Sequence, residues 1–476
     1  MHFRIKLCRG CMVDPYATRR YISRLVQPML QQELCYKVSN GEYGCNWCLH
    51  PGERVEKGKG FCRVFPPDIA YESRSLRDFD DFAATSQPQK GIVYLSPLLK
   101  LAHFNIVDGF AVDAMHAVGL GVIRTLTFMW LNNKDSPYYI GNKVKQIDER
   151  LLNLKVLAET VRTQRSITTI KHWKASEWFV WMWVCVVVLD TVLPEKFLAH
   201  FRLLAGSVYK LCAETLAEDR VREAAHDINL FVQKFASLYG RSCVSYNVHI
   251  LTHMVQTAQR FGALWQTWCF SFENMNGEMV SFVKSSQGIM SQIAKRYSRN
   301  FFMRYKEGVF DDEKNRKLFR SFVFRRTVND ETKILNAKTT NDVPQVVSNS
   351  VKSPNGKWTF AKRAIVNSCI LQCGESKKRC NNFVLLNENI VGEIKMLYSA
   401  SSQVSLEHCP PPAWALLSMR MMKRFRELSF VFVPEDDFPS VEELHELDKI
   451  SRLKLMCLRL QSSVYFIKPP MYFDCD

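Results

Sequence analysis

An α+β architecture, helical through the middle of the chain and β-rich toward its C-terminus, is the fold class that this sequence predicts, on three observations. Between Leu98 and about Asp227 apolar residues recur at helical spacing, in long segments at 118–131, 175–193 and 197–216. Beyond Gly356 the pattern changes to short β-rich runs at 358–370, 383–386, 428–433 and 455–467, divided by Gly, Asn and Pro turns, which suggests a small barrel or sandwich. At the other end, residues 3–13 read as a strand that stops at Asp14, and 17–30 as a helix through Tyr21, Leu25 and Met29.

The remaining stretches follow from local chemistry. Asn40 to Cys48 carries Gly41, Gly44 and a cysteine pair, which suits a tight knuckle. Residues 52–85 are polar and read as an irregular excursion. A helix pair is expected around His249 and His253 and over 270–285. Residues 328–354, rich in Asn, Thr, Ser and Lys, read as a linker, and the tail 465–476 with its two prolines as a packed end.

Composition bounds the class. With 476 residues and 47% hydrophobic content, the chain has room for two or three domains with real cores. Its longest apolar run, Trp178 to Leu189, is closed in by Glu177 and Asp190, far short of the roughly 20 residues of a membrane span. It reads as a buried helix. The first residues show neither the apolar core nor the cleavage site of a secretory signal, so the expectation is an intracellular protein. In that setting the 16 cysteines are expected as free thiols and metal ligands. A formal net charge of +17 favours a polyanionic partner, nucleic acid ahead of an anionic membrane surface, because neutralising phosphates releases condensed counterions.

Cys45 and Cys48 have the bite of half a zinc knuckle, since thiolates three positions apart can take adjacent corners of a tetrahedron. His249 and His253 supply a second half, because positions four apart share one helical face. Together they would close a Cys2His2 structural zinc site that clips segments about 200 residues apart. The plainer alternative is two incidental buried pairs satisfied by backbone. Cys8 and Cys11 diverge on a strand and read as core. His50 stands beside the knuckle as a weaker ligand, since the set closes without it.

Three acids stand out. Asp14 sits at a strand end before a helix, and Glu273 is framed by Phe270, Phe272 and Met275. Buried carboxylates of this kind could hold two Mg2+ or Mn2+ ions for phosphodiester chemistry; a capping Asp and a surface Glu are the bland readings. Asp113 with His116 is either a metal-binding acid with a proton-handling histidine on one face, or an N-cap with a core histidine. Downstream, Lys284, Lys295, Arg296, Arg299, Arg304 and Lys306 lie among Tyr297, Phe301, Phe302 and Tyr305, and basic residues continue from Lys314 to Arg326. Cations interleaved with aromatics suit a surface that tracks phosphates, or else a solvated helix face.

In order and wording, NGEYGCNWCLHPGE, SPLLKLAHFNIVDGFAVDAMHAVGLGVIRTL, YNVHILTHM and FSFENMNGEM resemble the tnp2-like transposases of CACTA elements and their invertebrate relatives, over roughly residues 5–300. The resemblance implies an RNase H-like fold with a D-D-E triad, a helical insertion before the final Glu, and DNA cleavage with strand transfer. The V(D)J recombination nuclease, a distant relative, shows a similar order of Asp, Cys-x-x-Cys, paired His and Glu. By that order Asp14 corresponds to the second acid, Cys45 and Cys48 to the cysteine pair, His249 and His253 to the histidine pair, and Glu273 to the third acid. The first acid and its strands are then missing, so the chain looks truncated and its catalysis impaired. A second register makes Asp14, Asp113 and Glu273 the triad.

The expected organisation is a partial RNase H-like core with the knuckle (1–50), a mainly helical insertion (51–245), and the His pair, Glu helix and basic segment (246–327). A linker (328–355) and a β-rich domain (356–476) follow. The expected setting is nuclear, with DNA as partner, no membrane, and room for a homo-oligomer. Two rival readings are a domesticated, non-catalytic DNA-binding protein and a zinc-stabilised adaptor.

Overall fold

The computed structural model describes residues 41–102, 104–158, 160, 162–307, 333–335, 338–351, 358–366, 369–374, 378–387, 389–400, 413–435, 440–450, 454–460 and 463–470. The expected first strand with Cys8, Cys11 and Asp14, the helix over 17–30, and the basic residues from Lys314 to Arg326 lie outside these.

The chain runs β1 (Glu53–Lys57), β2 (Gly60–Val64), α1 (Arg77–Thr85), a π-helix (Met115–Ile123), α2 (Arg124–Asn132), α3 (Val144–Leu152), β3 (Leu154–Lys155), α4 (Ala175–Val188), α5 (Glu195–Leu211) and α6 (Glu218–Tyr239). Next come α7 (Tyr246–His249), a 3-10 turn (Ile250–His253), α8 (Met254–Phe261), α9 (Phe270–Phe282) and α10 (Ile289–Glu307). The remainder is β4 (Lys333–Leu335), β5 (Lys338–Thr340), α11 (Gln345–Ser350), β6 (Trp358–Ala361), β7 (Arg363–Val366), β8 (Cys369–Gln372), β9 (Phe383–Asn387), β10 (Ile390–Ala400), β11 (Ala413–Arg424), β12 (Val431–Pro434), β13 (Val441–Glu446), α12 (Leu447–Ile450), β14 (Met456–Leu460) and β15 (Ser463–Ile467). The fold is therefore mixed α+β. Among the described residues no helix is long and apolar enough to cross a membrane.

Two compact units divide these elements. The described part of the first takes residues 41–111 and 269–307; that of the second takes 112–268 and 333–470. In the first unit, β1 and β2 form an antiparallel hairpin through Gly58, whose φ is +60°. The stretch 52–85 thus holds a hairpin and α1 where the sequence suggests an irregular excursion. β1 alternates Glu, Arg, Val, Glu and Lys and buries none of them, so hydrophobic period carries no signal there. Phe79 and Phe82 of α1 pack with Ile92, Ile106 and Val107 into a small core. The loop from α9 to α10 is pinned by Gln292, whose Oε1 accepts the Lys284 N–H at 2.8 Å while its Nε2 donates to the Gln287 carbonyl at 2.6 Å.

The second unit is organised around α4, whose sequence is apolar on every face and which is buried from Glu177 onward, Trp178, Trp181 and Trp183 included. A helix apolar all round must lie inside a protein or a bilayer, and at 14 residues this one lies inside a protein. Its start carries Glu177, wholly buried, which accepts the Lys174 N–H at 2.8 Å and both Arg165 nitrogens at 2.6 Å. α5 and α6 pack on each other, with His200 stacked on Phe231 at 4.2 Å.

The β part of the same unit is a large antiparallel sheet ordered β3-β14-β15-β12-β11-β10-β6-β5, with β9 on β10 and β13 on β11, and a three-stranded sheet β4-β7-β8. The long β10 and β11 pair from Ile390↔Met421 to Ser399↔Ala413 through a bulge at Ile394/Met396. The described part of 356–476 falls in the same compact unit as the helices of 112–268. Leu154 and Lys155 of β3 pair with β14, Phe430 packs on Trp183 and Tyr209, and Arg426 pairs with Asp190 at 2.8 Å. The linker expected over 328–355 holds β4, β5 and α11. Strands of three residues such as Lys338-Thr339-Thr340 show no apolar period and take their conformation from the neighbour they pair with.

Candidate metal centre

The knuckle is built by backbone and one arginine. Tyr43 adopts φ +56°, and the Gly44 N–H donates to the Gly41 carbonyl at 3.2 Å, so the chain turns sharply before Cys45. On the far side Leu49 N–H donates to Glu72 O at 2.8 Å and Arg74 N–H to Trp47 O at 3.0 Å. The buried guanidinium of Arg74 closes the turn. Its Nε and Nη2 donate to the Cys45 carbonyl at 3.2 and 2.9 Å, Nη2 to Tyr43 O at 2.9 Å, and Nη1 to Lys90 O at 2.8 Å. Gly91, with φ +80°, lies so close that a Cβ there would meet the Tyr43 carbonyl oxygen at 2.3 Å. Lys90 is held in turn by Asp78 at 2.9 Å, a pair that raises the lysine's pKa.

Cys45 and Cys48 are fully buried in this turn. The Cys48 thiol is pushed far above its ordinary pKa, first by its hydrogen bond with Cys45 and next by burial. A thiolate forms in such a place when a cation offsets its charge, so proton release and metal binding are coupled. His50, also buried, is spoken for. Its Nδ1 accepts the Gly52 N–H at 2.9 Å, which leaves Nε2 as the donor to the Pro66 carbonyl at 3.0 Å.

His249 ends α7 and His253 ends the 3-10 turn that follows, so the pair does not ride one continuous α-helix. The side chains of Val248, Leu251 and Met254 are buried and anchor the segment, and both imidazoles are buried too, their ring centroids 5.2 Å apart with planes at 81°. One ligand atom from each of Cys45, Cys48, His249 and His253 falls within 4.8 Å of the others, and all four residues are buried. Tetrahedral zinc, with sulfur at ~2.3 Å and nitrogen at ~2.0–2.1 Å, sets its ligand atoms roughly 3.3–3.8 Å apart. A group held within 4.8 Å is compatible with that geometry. Two thiols and two imidazoles are borderline-soft donors, which suit zinc and not Mg2+ or Ca2+.

The other sites predicted from sequence are placed as follows. Glu273 lies in the first turn of α9, a helix with no buried residue; it is exposed, and Phe272 and Met275 beside it are exposed as well. The apolar frame around the acid therefore faces outward and does not bury it. Asp113 caps the π-helix, with Oδ1 accepting the Met115 N–H at 3.0 Å and Oδ2 the His116 N–H at 3.2 Å. His116 pairs with the same carboxylate through Nδ1 and is exposed, so it is a surface histidine and not a core one. On α10, Lys295 and Arg299 are exposed and Arg296 is half-buried, with Tyr297 and Phe302 open to solvent among them; Arg304 and Lys306 follow on the same helix. Asp14 lies outside the described residues. Arg74, Gly91 and Thr257, whose hydroxyl donates to the His253 carbonyl at 3.2 Å, escaped the sequence reading. Of these only Thr257 carried a signal, its i+4 spacing from His253.

No model of a protein family, no curated protein and no solved structure matches the chain. Its class therefore rests on its own geometry: an α+β protein with a buried Cys2His2 group suited to a metal such as zinc.

Proposed function

We propose that this chain is a transposon-derived DNA-binding protein of the tnp2-like kind, stapled by zinc and impaired in DNA cleavage. The meeting of Cys45, Cys48, His249 and His253 in one buried group carries the reading. A cysteine pair, then a histidine pair, then Glu273 is the order that the resemblance implies. Zinc held by these four side chains is structural, since four protein ligands leave no open position for water or substrate.

The DNA-facing part of the proposal is α10. Lys295 and Arg299 lie one turn apart and exposed, with Tyr297 and Phe302 for sugar and base contacts, which suits phosphates followed along a strand. A nuclear setting follows from a DNA partner. The RNase H-like core would lie largely within residues 1–50.

The catalytic arm assigns Asp14, Asp113 and Glu273 to Mg2+ or Mn2+, ions that would activate a water or a 3′-hydroxyl and stabilise the leaving oxygen. Both oxygens of Asp113 are engaged at the π-helix start and Glu273 stands exposed, an arrangement that supports impaired cleavage over an organised two-metal site.

The test combines zinc content, salt-dependent binding of duplex DNA, and Mg2+- or Mn2+-dependent nicking beside Asp14→Ala, Asp113→Ala and Glu273→Ala. One zinc with salt-sensitive DNA binding and no nicking is expected. Nicking lost in all three variants would replace the impaired reading with a working triad. Absence of both zinc and DNA binding would end the proposal.

A further inference from the structure

The Asp113–Gly121 segment, DAMHAVGLG, is the sequence motif that neither the zinc group nor the DNA surface uses. A nine-residue π-helix spans most of it. Such helices are rare and are tolerated where neighbours fix them. Here the neighbours are the elements that carry the histidine pair. The buried Val112 N–H donates to Thr257 Oγ1 at 3.0 Å, and that same hydroxyl donates to the His253 carbonyl at 3.2 Å. One buried hydroxyl thus links the backbone in front of Asp113 to the backbone of a metal-ligating residue. Further on, Gly121 faces the side chain of Asn247, two residues before His249: a Cβ at 121 would meet Asn247 Nδ2 at 2.8 Å and the His116 carbonyl at 2.8 Å. Gly119 makes equal room for the Phe179 ring, at 2.6 Å from a would-be Cβ, which fixes the π-helix against α4. Asp113 holds the start of the helix through the two N–H groups of Met115 and His116.

We infer that this motif positions the metal-ligating histidines: Thr257, fixed by Val112, sets the backbone of His253, and Gly121, by letting the π-helix seat against Asn247, sets that of His249. The inference rests on the zinc reading above and assigns Gly121 and Thr257 as positioning residues acting through the two imidazoles. Partners one shell out from a metal typically change its affinity by about 10–100-fold when removed.

The experiment uses the full chain loaded with Zn2+ or with Co2+ as spectroscopic probe, comparing wild type, Thr257→Val, Thr257→Ser and Gly121→Ala. Zinc loss to a chromogenic chelator and the ligand-field bands of tetrahedral Co2+ are recorded on proteins matched for folding by circular dichroism. Thr257→Val and Gly121→Ala are expected to release zinc about 10–100-fold faster and to shift or weaken the Co2+ bands, and Thr257→Ser to restore both. Should Gly121→Ala fail to fold, the Val/Ser pair at 257 decides alone. A Thr257→Val protein with the wild-type Co2+ spectrum and release rate overturns the positioning role while leaving the zinc reading intact. A wild-type chain that takes up neither metal overturns both.

Discussion

Arg74→Met tests whether a single buried guanidinium holds the knuckle together. The substitution keeps an apolar stem of similar length and removes four hydrogen bonds to three carbonyl oxygens, those of Tyr43, Cys45 and Lys90. Bonds to a charged donor contribute about 1.5–3 kcal/mol each, but two of the four share the Cys45 oxygen and the turn can relax toward water. The expected local loss is about 3–5 kcal/mol, the range for removing one member of a buried charged network. At about 1.36 kcal/mol per decade, amide exchange over residues 41–50 should accelerate by roughly two to nearly four orders of magnitude. Amides of α4, in the other unit, serve as the control. Arg74→Lys should recover only part of the protection, because one ammonium cannot span three carbonyls as the planar fork does. Unchanged exchange over 41–50 in folded Arg74→Met would refute the argument and leave the cysteines to hold the turn themselves.

Three further outcomes are expected. Burial, opposed by its hydrogen bond to the Phe231 carbonyl, lowers the pKa of His200 to about 4. Since the folded value lies below the unfolded ~6.5, acid protonates the unfolded chain first: this stability is complete above pH ~6.5 and falls by about 3 kcal/mol as the pH drops to 4. Urea midpoints measured across that window should flatten in His200→Gln, and an equally steep acid limb in the variant would count against the assignment. Gly91→Ala combines a left-handed φ with a Cβ placed 2.3 Å from the Tyr43 oxygen, so it should destabilise the protein by about 2–4 kcal/mol and loosen zinc, read by thermal melts and chelator competition. Replacing Lys295, Arg296 and Arg299 by Ala should lower the slope of log K against log salt for duplex DNA by up to ~2.7, at ~0.9 per phosphate contact; an unchanged slope would make α10 a solvated face.

How much of this was legible beforehand differs from element to element. The apolar stretch at 175–193 announced α4, because a run without a polar face has only one place to go, and the observed helix stops at Val188 where Asp190 and Pro194 interrupt it. The cysteine and histidine pairs were legible as half-sites, since bite is a property of local spacing; their meeting across about 200 residues is a fact of tertiary structure. Glu273 illustrates the reverse. Its apolar neighbours left a buried acid and a surface Glu both open, and α9 leaves Glu273, Phe272 and Met275 exposed, because burial depends on what covers a residue and not on what flanks it. For Asp113 both the capping and the ligand roles satisfied the spacing, and the structure shows the capping contacts, with the Met115 and His116 N–H groups donating to its carboxylate.

The sequence by itself determined the α+β class, the buried central helix and the two candidate half-sites of cysteine and histidine, for these depend on composition and short-range period. Only the tertiary structure decided the sheet order, the strands β4 and β5, the hairpin over 53–64 and the π-helix. Apart from the hairpin, whose strands pair with each other across a tight turn, these are stabilised by partners remote in sequence: β5 by β6, β3 by β14, and the start of the π-helix by Thr257, 145 residues from the Val112 whose N–H it accepts. Local propensity is silent where the satisfying hydrogen bond is long-range, and it is there that chain reading and structure part company.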